Sequence, residues 1–207
     1  MRSGGMFVKQ LKVGPMENFV YLVKDEESSE AAVVDSGWET KPILEEAKRS
    51  GARIEYVIAT HNHFDHSATL GELAEAAGAN TAAHESSPLS VDLRLRGGQK
   101  MRLGESELEV LHTPGHTEDS ICLYDGTDLF TGDTLFVGTF GRTDLPGGSA
   151  VKLFHSIQGT IMKLPPSALI YPGHDYGEVP ARTLEEEAGL NPALLARDLR
   201  GFLAVVS

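Results

Sequence analysis

Thr60-His61-Asn62-His63-Phe64-Asp65-His66 is the stretch on which the reading of this chain turns. Three histidines and an aspartate crowd six positions directly behind Ile54–Thr60 (IEYVIAT), a short apolar run of the buried-strand type. In a helix, residues i and i+2 diverge, whereas in an extended segment they share a face. His61 and His63 therefore suit a pincer on one metal ion from a loop. Asp65 and His66 fall where the chain turns into the next helix, within reach of a neighbouring ion. Imidazole nitrogen and carboxylate oxygen are donors that zinc accepts.

Working outward, the tripeptide Pro-Gly-His occurs twice, at Pro114–His116 and Pro172–His174, each behind an apolar strand (LEVLHT and ALIY). A Pro-Gly turn at a strand end aims the next side chain out of the sheet edge, so the two copies bring two more imidazoles to one rim. Thr131-Gly132-Asp133 ends a third strand and supplies a carboxylate able to bridge two ions. His84, His112 and His155 match no such pattern and are read as structural or solvated.

Strands are expected at Phe7–Val13, Phe19–Lys24, Ala31–Asp35, Thr81–His84, Glu107–His112, Ile121–Tyr124, Leu129–Thr131 and Ala168–Tyr171, set off by Gly, Pro, Asn or charged clusters. Thr40 caps a helix to Ser50 with Gly51 as its stop. Ser67 caps a second that ends at Gly78. Val151–Leu164 is a third, and Thr183 to Val206 is helical with a break near Asn191-Pro192. The 207 residues, 41% hydrophobic and 23% charged, suit a single domain over residues 6–207, with residues 1–5 as a disordered leader or expression scar.

No run approaches the roughly 18 apolar residues of a membrane span, and the N-terminus lacks the apolar stretch of a secretory signal. A cytoplasmic protein is expected. The net charge of −12, with no Lys/Arg cluster, argues against nucleic acid and anionic membranes as partners. A small-molecule substrate is left, and the oligomeric state stays open. The single cysteine, Cys122, lies in the apolar run Ser120–Tyr124, forms no intrachain disulfide and is read as a buried structural thiol.

In this order and at these intervals, HNHFDH, TPGH, GD and PGH resemble the metallo-β-lactamase superfamily through nearly the whole chain. The resemblance implies an α/β fold, the four-layer αββα metallo-β-lactamase sandwich, with the site at one edge of the two sheets. It implies that His61, His63 and His116 hold one metal, that Asp65, His66 and His174 hold a second, and that Asp133 bridges them. Within the superfamily, Gly14-Pro15-Met16-Glu17-Asn18, GDTLF, Gly141-Arg142-Thr143-Asp144 and the tail PGHDYG…TLEEE…NPAL are similar to the glyoxalase II group. GRTD and HDY also occur in persulfide dioxygenases of the same fold, in which one iron would be held by His61, His116 and Asp133.

The leading expectation is a thioesterase-type hydrolase with two divalent metal ions, zinc first and iron or manganese as alternatives. It would cleave a thioester such as S-lactoylglutathione, with Asp65 and Asp133 as the catalytic carboxylates. A water shared by two such ions has its pKa lowered from about 15.7 towards about 7, which supplies hydroxide at neutral pH. A mononuclear iron persulfide dioxygenase and a metal-dependent lactonase are the alternatives. Arg142 is a candidate for a substrate carboxylate, with an ion pair to Asp144 as the competing reading. Glutathione binding is not carried over, because GRTD stands where larger glyoxalase II enzymes have a lysine- and aromatic-bearing loop.

Overall fold

The computed structural model describes residues 5–206, so the leader expected at residues 1–5 lies, Gly5 apart, outside the described residues. In the first sheet, β1 (Met6–Val13), β2 (Asn18–Asp25) and β3 (Glu30–Val34) run antiparallel. Helix α1 (Lys41–Ser50) then crosses to β4 (Arg53–Ile58), which lies parallel to β3. Helices α2 (Phe64–Ser67) and α3 (Leu70–Ala77) lead to β5 (Asn80–His84), and β6 (Leu93–Leu95) completes the parallel half. The second sheet opens with the antiparallel run β7 (Lys100–Leu103), β8 (Ser106–His112), β9 (Ile121–Tyr124) and β10 (Asp128–Gly132). Helix α4 (Ala150–Gly159) carries the chain to β11 (Leu169–Pro172), parallel to β10, beside which β12 (Arg182–Thr183) lies antiparallel. Short helices α5 (Leu184–Ala188), α6 (Pro192–Leu195) and α7 (Leu199–Val206) finish it.

Alternation of side chains across each strand builds the layers. Tyr21 and Val23 join Leu108, Val110, Leu123 and Phe130 between the sheets. Val20 and Leu22, from the same strand, pack instead with Ile43 and Ala47 of α1 and Leu73 of α3. Leu129 faces the other way from Phe130 and meets Leu153 and Ile157 of α4 and Phe202 of α7. Helices therefore cover the outer face of each sheet, giving the αββα order that the resemblance implied. Burial on both faces is why the central strands read as unbroken apolar runs.

The structure departs from the sequence reading at several ends. Ser67 caps no second helix: it closes the single turn α2, and its hydroxyl donates back to the carbonyls of Asn62 and His63 at 3.3 and 3.0 Å. Thr69 takes the position before α3. Thr40 precedes α1, but its hydroxyl donates to Glu72 at 2.9 Å rather than capping. Helix α4 stops at Gly159, not Leu164, because Thr160 leaves the helical region and Ile161–Lys163 tightens into a 3-10 turn. The strands β6, β7 and β12 are additional; they are two to four residues long, too short to show a reliable alternation. Among the described residues no helix is long and apolar enough to cross a membrane.

The topology fixes where the loops meet. Strands β8 and β10 both run antiparallel to β9, and β11 is parallel to β10, so the carboxyl ends of all three lie at one rim. Thr60, just beyond β4, accepts a hydrogen bond from the Ile121 amide at 2.9 Å, and the Phe19 amide donates to Gly173 at 2.8 Å. These bonds stitch the first sheet to that same rim, the side of α/β sheets where sites gather.

Candidate metal centre

Each ligand-type residue of the sequence reading sits on this rim. His61 and His63 leave the end of β4, Asp65 and His66 occupy α2, His116 follows β8, Asp133 follows β10, and His174 follows β11. Glycine permits two of the turns. Gly132 has φ +48°, and a Cβ there would meet the Thr60 side chain. A Cβ on Gly173 would strike Asp133 Oδ1.

The rings are held from behind. His116 Nδ1 donates to the Arg142 carbonyl at 2.7 Å, His174 Nδ1 to the Met16 carbonyl at 2.8 Å, and His66 Nδ1 to Asp35 Oδ2 at 2.8 Å. The Thr60 hydroxyl donates to Asp35 Oδ2 at 2.9 Å, which leaves its oxygen to accept from His61 Nδ1 at 3.1 Å. With each Nδ1 committed as a donor, the Nε2 atoms of His61, His66, His116 and His174 face the centre, the arrangement that orients imidazoles for metals.

The facing atoms converge. His63 Nδ1 lies 3.1 Å from His61 Nε2 and 2.9 Å from His116 Nε2, and His66 Nε2 lies 3.1 Å from His174 Nε2. Asp65 Oδ2 is 3.3 Å from both His66 Nε2 and His174 Nε2. Asp133 stands between the halves, its Oδ2 3.5 Å from the Nε2 atoms of His116 and His174. Its Oδ1 is 3.2 Å from His66 Nε2 but out of line for a hydrogen bond, and it is buried with no hydrogen-bond partner. Three trios bring their ligand atoms within 4.8 Å of one another: His61 with His63 and His116, His61 with His66 and Asp133, and Asp65 with His66 and His174. Ring nitrogens turned on one another beside an orphaned carboxylate oxygen are what a divalent cation would satisfy, so the donor set fits a metal.

Burial, and then the neighbouring His66, pushes His61 well below the ordinary histidine range; burial and His116 lower His63. Burial also opposes the charged form of His66, but the charges of Asp133 and Asp35 outweigh it and lift that ring. In His174 burial is outweighed by the nearby carboxylates of Asp133 and Asp65, which bring it up to about 9. Burial likewise works against the charged carboxylates, yet the imidazoles hold Asp65 and Asp133 well below the usual range.

Several surrounding residues had no individual signal in the sequence. Asp35, at φ +57° beyond β3, braces both Thr60 and His66; an Asp closing an apolar strand before Ser-Gly was the available clue. Asn18 donates to Asp65 Oδ2 at 2.8 Å and accepts from Trp38 Nε1 at 2.9 Å. Tyr176 stacks on His174 at 4.6 Å between ring centroids, and Phe136 meets His174 edge-on at 5.8 Å. The Arg142 side chain is exposed and forks onto Asp144 with two 2.7 Å bonds, the ion-pair reading; its carbonyl is what touches the site. His84 and His112 stack on one another at 3.8 Å, and His155 is exposed. Cys122 is fully buried, and burial pushes its thiol up to about 11.

Known proteins are similar to this chain along most of its length. The family model of the metallo-β-lactamase superfamily matches residues 13–88 and 84–174. The human mitochondrial persulfide dioxygenase ETHE1 is 39% identical over 180 residues, covering 85% of this chain and 71% of that protein. A hydroxyacylglutathione hydrolase from Polaromonas sp. (strain JS666) is 35% identical over 181 residues, covering 84% and 68%. The crystal structure of ETHE1 from Myxococcus xanthus superposes with a TM-score of 0.92 at 32% identity, covering 97% of this chain and 90% of that one. The chain belongs to the metallo-β-lactamase superfamily.

Proposed function

We propose that this chain is a mononuclear iron dioxygenase acting on a small persulfide, with the iron held by His61, His116 and Asp133. The observation that carries the reading is the likeness to persulfide dioxygenases along almost the whole chain. It reverses the order of the two readings reached from sequence. Two imidazoles and one carboxylate with open positions are the ligand set of non-haem iron oxygenases, and a redox-active ion in that set supplies dioxygen chemistry. In the overall reaction a persulfide, O₂ and water give a thiol, sulfite and two protons. The outer sulfur loses four electrons to O₂, and the sulfur–sulfur bond breaks. The protein's share is positional. The Arg142 carbonyl and Thr60 hydroxyl aim His116 and His61, while Phe136 and Tyr176 lay aromatic surface over His174 beside the centre.

Thioester hydrolysis is the second reading, and lactone opening is the same chemistry on a cyclic ester. The convergence of Asp65, His66 and His174 favours it, because that trio could hold a second ion with Asp133 between the two. Two divalent ions would supply an activated water. The likeness to hydroxyacylglutathione hydrolases supports this reading too.

An oxygen-electrode assay with glutathione persulfide, run beside an anaerobic assay with S-lactoylglutathione on protein of known metal content, separates the two. Oxygen uptake with sulfite release from iron-loaded protein is expected. Thioester cleavage without oxygen uptake would replace the first reading by the second.

A further inference from the structure

Asp119 lies three residues beyond His116 and is 1% exposed. Its Oδ1 accepts two short hydrogen bonds, 2.6 Å from Asn62 Nδ2 and 2.7 Å from the Thr117 hydroxyl. Asn62 sits between His61 and His63, and Thr117 directly follows His116. One carboxylate oxygen thus ties together two ligand-bearing loops that are distant in sequence. Thr117 is itself pinned, its amide and hydroxyl reaching Ser120 Oγ at 3.1 and 2.7 Å.

The setting is costly for a carboxylate. Both donors to Oδ1 are neutral, and Oδ2 is buried with no hydrogen-bond partner. A buried charge so poorly compensated lowers stability, so stability is a weak reason for its presence. What the charge does provide is strength in the two bonds it accepts, since bonds to an ionised acceptor are shorter and stronger than neutral ones.

We infer that Asp119 is a positioning residue that clamps the His61–His63 loop to the His116 turn through Asn62 and Thr117, and so sets metal affinity without touching the metal. The inference rests on the reading that His61 and His116 bind a metal, and it holds for one ion or two.

The test compares wild type, Asp119→Asn, Asn62→Ala and the double variant. Zn²⁺ and Co²⁺ dissociation constants are measured by chelator competition, the Co²⁺ absorption spectrum is recorded, and the melting temperature of each chelated protein is taken. Asp119→Asn keeps size and an acceptor oxygen and removes the charge. Each single variant is expected to bind metal about 10–100-fold more weakly, with an altered Co²⁺ spectrum. The double variant should be no weaker than the more affected single, because both break one link. Dissociation constants within twofold of wild type, with only the melting temperature lowered, would overturn the clamp. If wild type itself takes up no metal, the metal reading falls and the clamp with it. If Asp119→Asn does not fold, Asn62→Ala alone decides, on the same threshold.

Discussion

The two ends of the cluster of ligand-type residues share Asp133 and one rim of the sandwich, but they are built from different chemistry. His61, His63 and His116 form a nitrogen-only face, two of whose rings are lowered mainly by burial. Asp65, His66 and His174 form a face crowded with carboxylates, Asp35 behind His66 included, where the anions outweigh burial and lift both rings. Equal numbers of ligand-type residues therefore do not make equal sites. Two rings of the nitrogen face, His61 and His116, need Asp133 to become a two-histidine, one-carboxylate set, whereas Asp65, His66 and His174 already make such a set without it. Whether the second face takes part in chemistry is the difference between the two proposed functions.

Removing one histidine from each face breaks the comparison most sharply. His116→Ala is expected to lower both iron content and persulfide-dependent oxygen uptake by at least about 100-fold, beyond the 10–100-fold typical of residues that merely support ligands. His174→Ala should keep its iron and stay within about 10-fold of wild-type turnover. Metal analysis and an oxygen electrode read both, and equal losses would mean that the two faces work as one.

A smaller effect concerns stability. Metal at about 100 times its dissociation constant stabilises the folded chain by about 2.7 kcal/mol. At about 2–4 °C per kcal/mol for a chain of this size, chelation should lower Tm by roughly 5–10 °C. His174→Ala should keep that shift, and His116→Ala should lose it. An unchanged Tm on chelation of wild type would argue against the donor set as a metal site.

The smallest expected effect lies outside both faces and contrasts with them. Asp65 and Asp133 have imidazoles to hold them charged, whereas Asp128 has its carboxyl pushed up to about 6 by burial and then by the charge of Asp125. Its folded pKa exceeds the unfolded value of about 3.9. The native state thus binds more protons between about pH 4 and 6, and stability falls as pH rises through that window. Asp128→Asn should stabilise the protein at pH 7 by about 1 kcal/mol, a figure discounted for the half-exposed setting, and change little at pH 4. Urea unfolding at the two pH values checks it, and destabilisation at pH 7 would contradict the assignment.

The parts of this molecule that were legible in sequence are the ones written locally. Three histidines and an aspartate within six residues, and two Pro-Gly-His turns behind apolar strands, mark the residues that gather at the rim before any fold is known. The supports are written at long range or in the backbone. Asp35 is 31 residues from His66, and Asn62 is 57 from Asp119. Met16 and Arg142 hold His174 and His116 through carbonyls that any residue could offer. The tail shows the same division. The break at Asn191-Pro192 is where it was expected, and its local part is a cap, Asn191 Oδ1 accepting from the Ala193 amide at 3.0 Å; its tertiary part is the Asn191 Nδ2, which turns inward to the carbonyls of Phe136 and Thr139 and to Glu187. A further break before α7 does carry a local mark, Asp198, whose Oδ1 accepts from the Gly201 amide at 2.8 Å in the manner of a helix N-cap, but the sequence reading runs the helix through it.

The most direct test of the asymmetry is an iron titration of chelated wild-type protein under argon, each point then assayed for oxygen uptake with glutathione persulfide. Activity should rise linearly and level off at one iron per chain, with one O₂ consumed and one sulfite formed per persulfide. A rise that continues to two metal ions per chain, or full activity of the zinc-loaded protein on S-lactoylglutathione with no oxygen uptake, would contradict a single working iron on His61, His116 and Asp133.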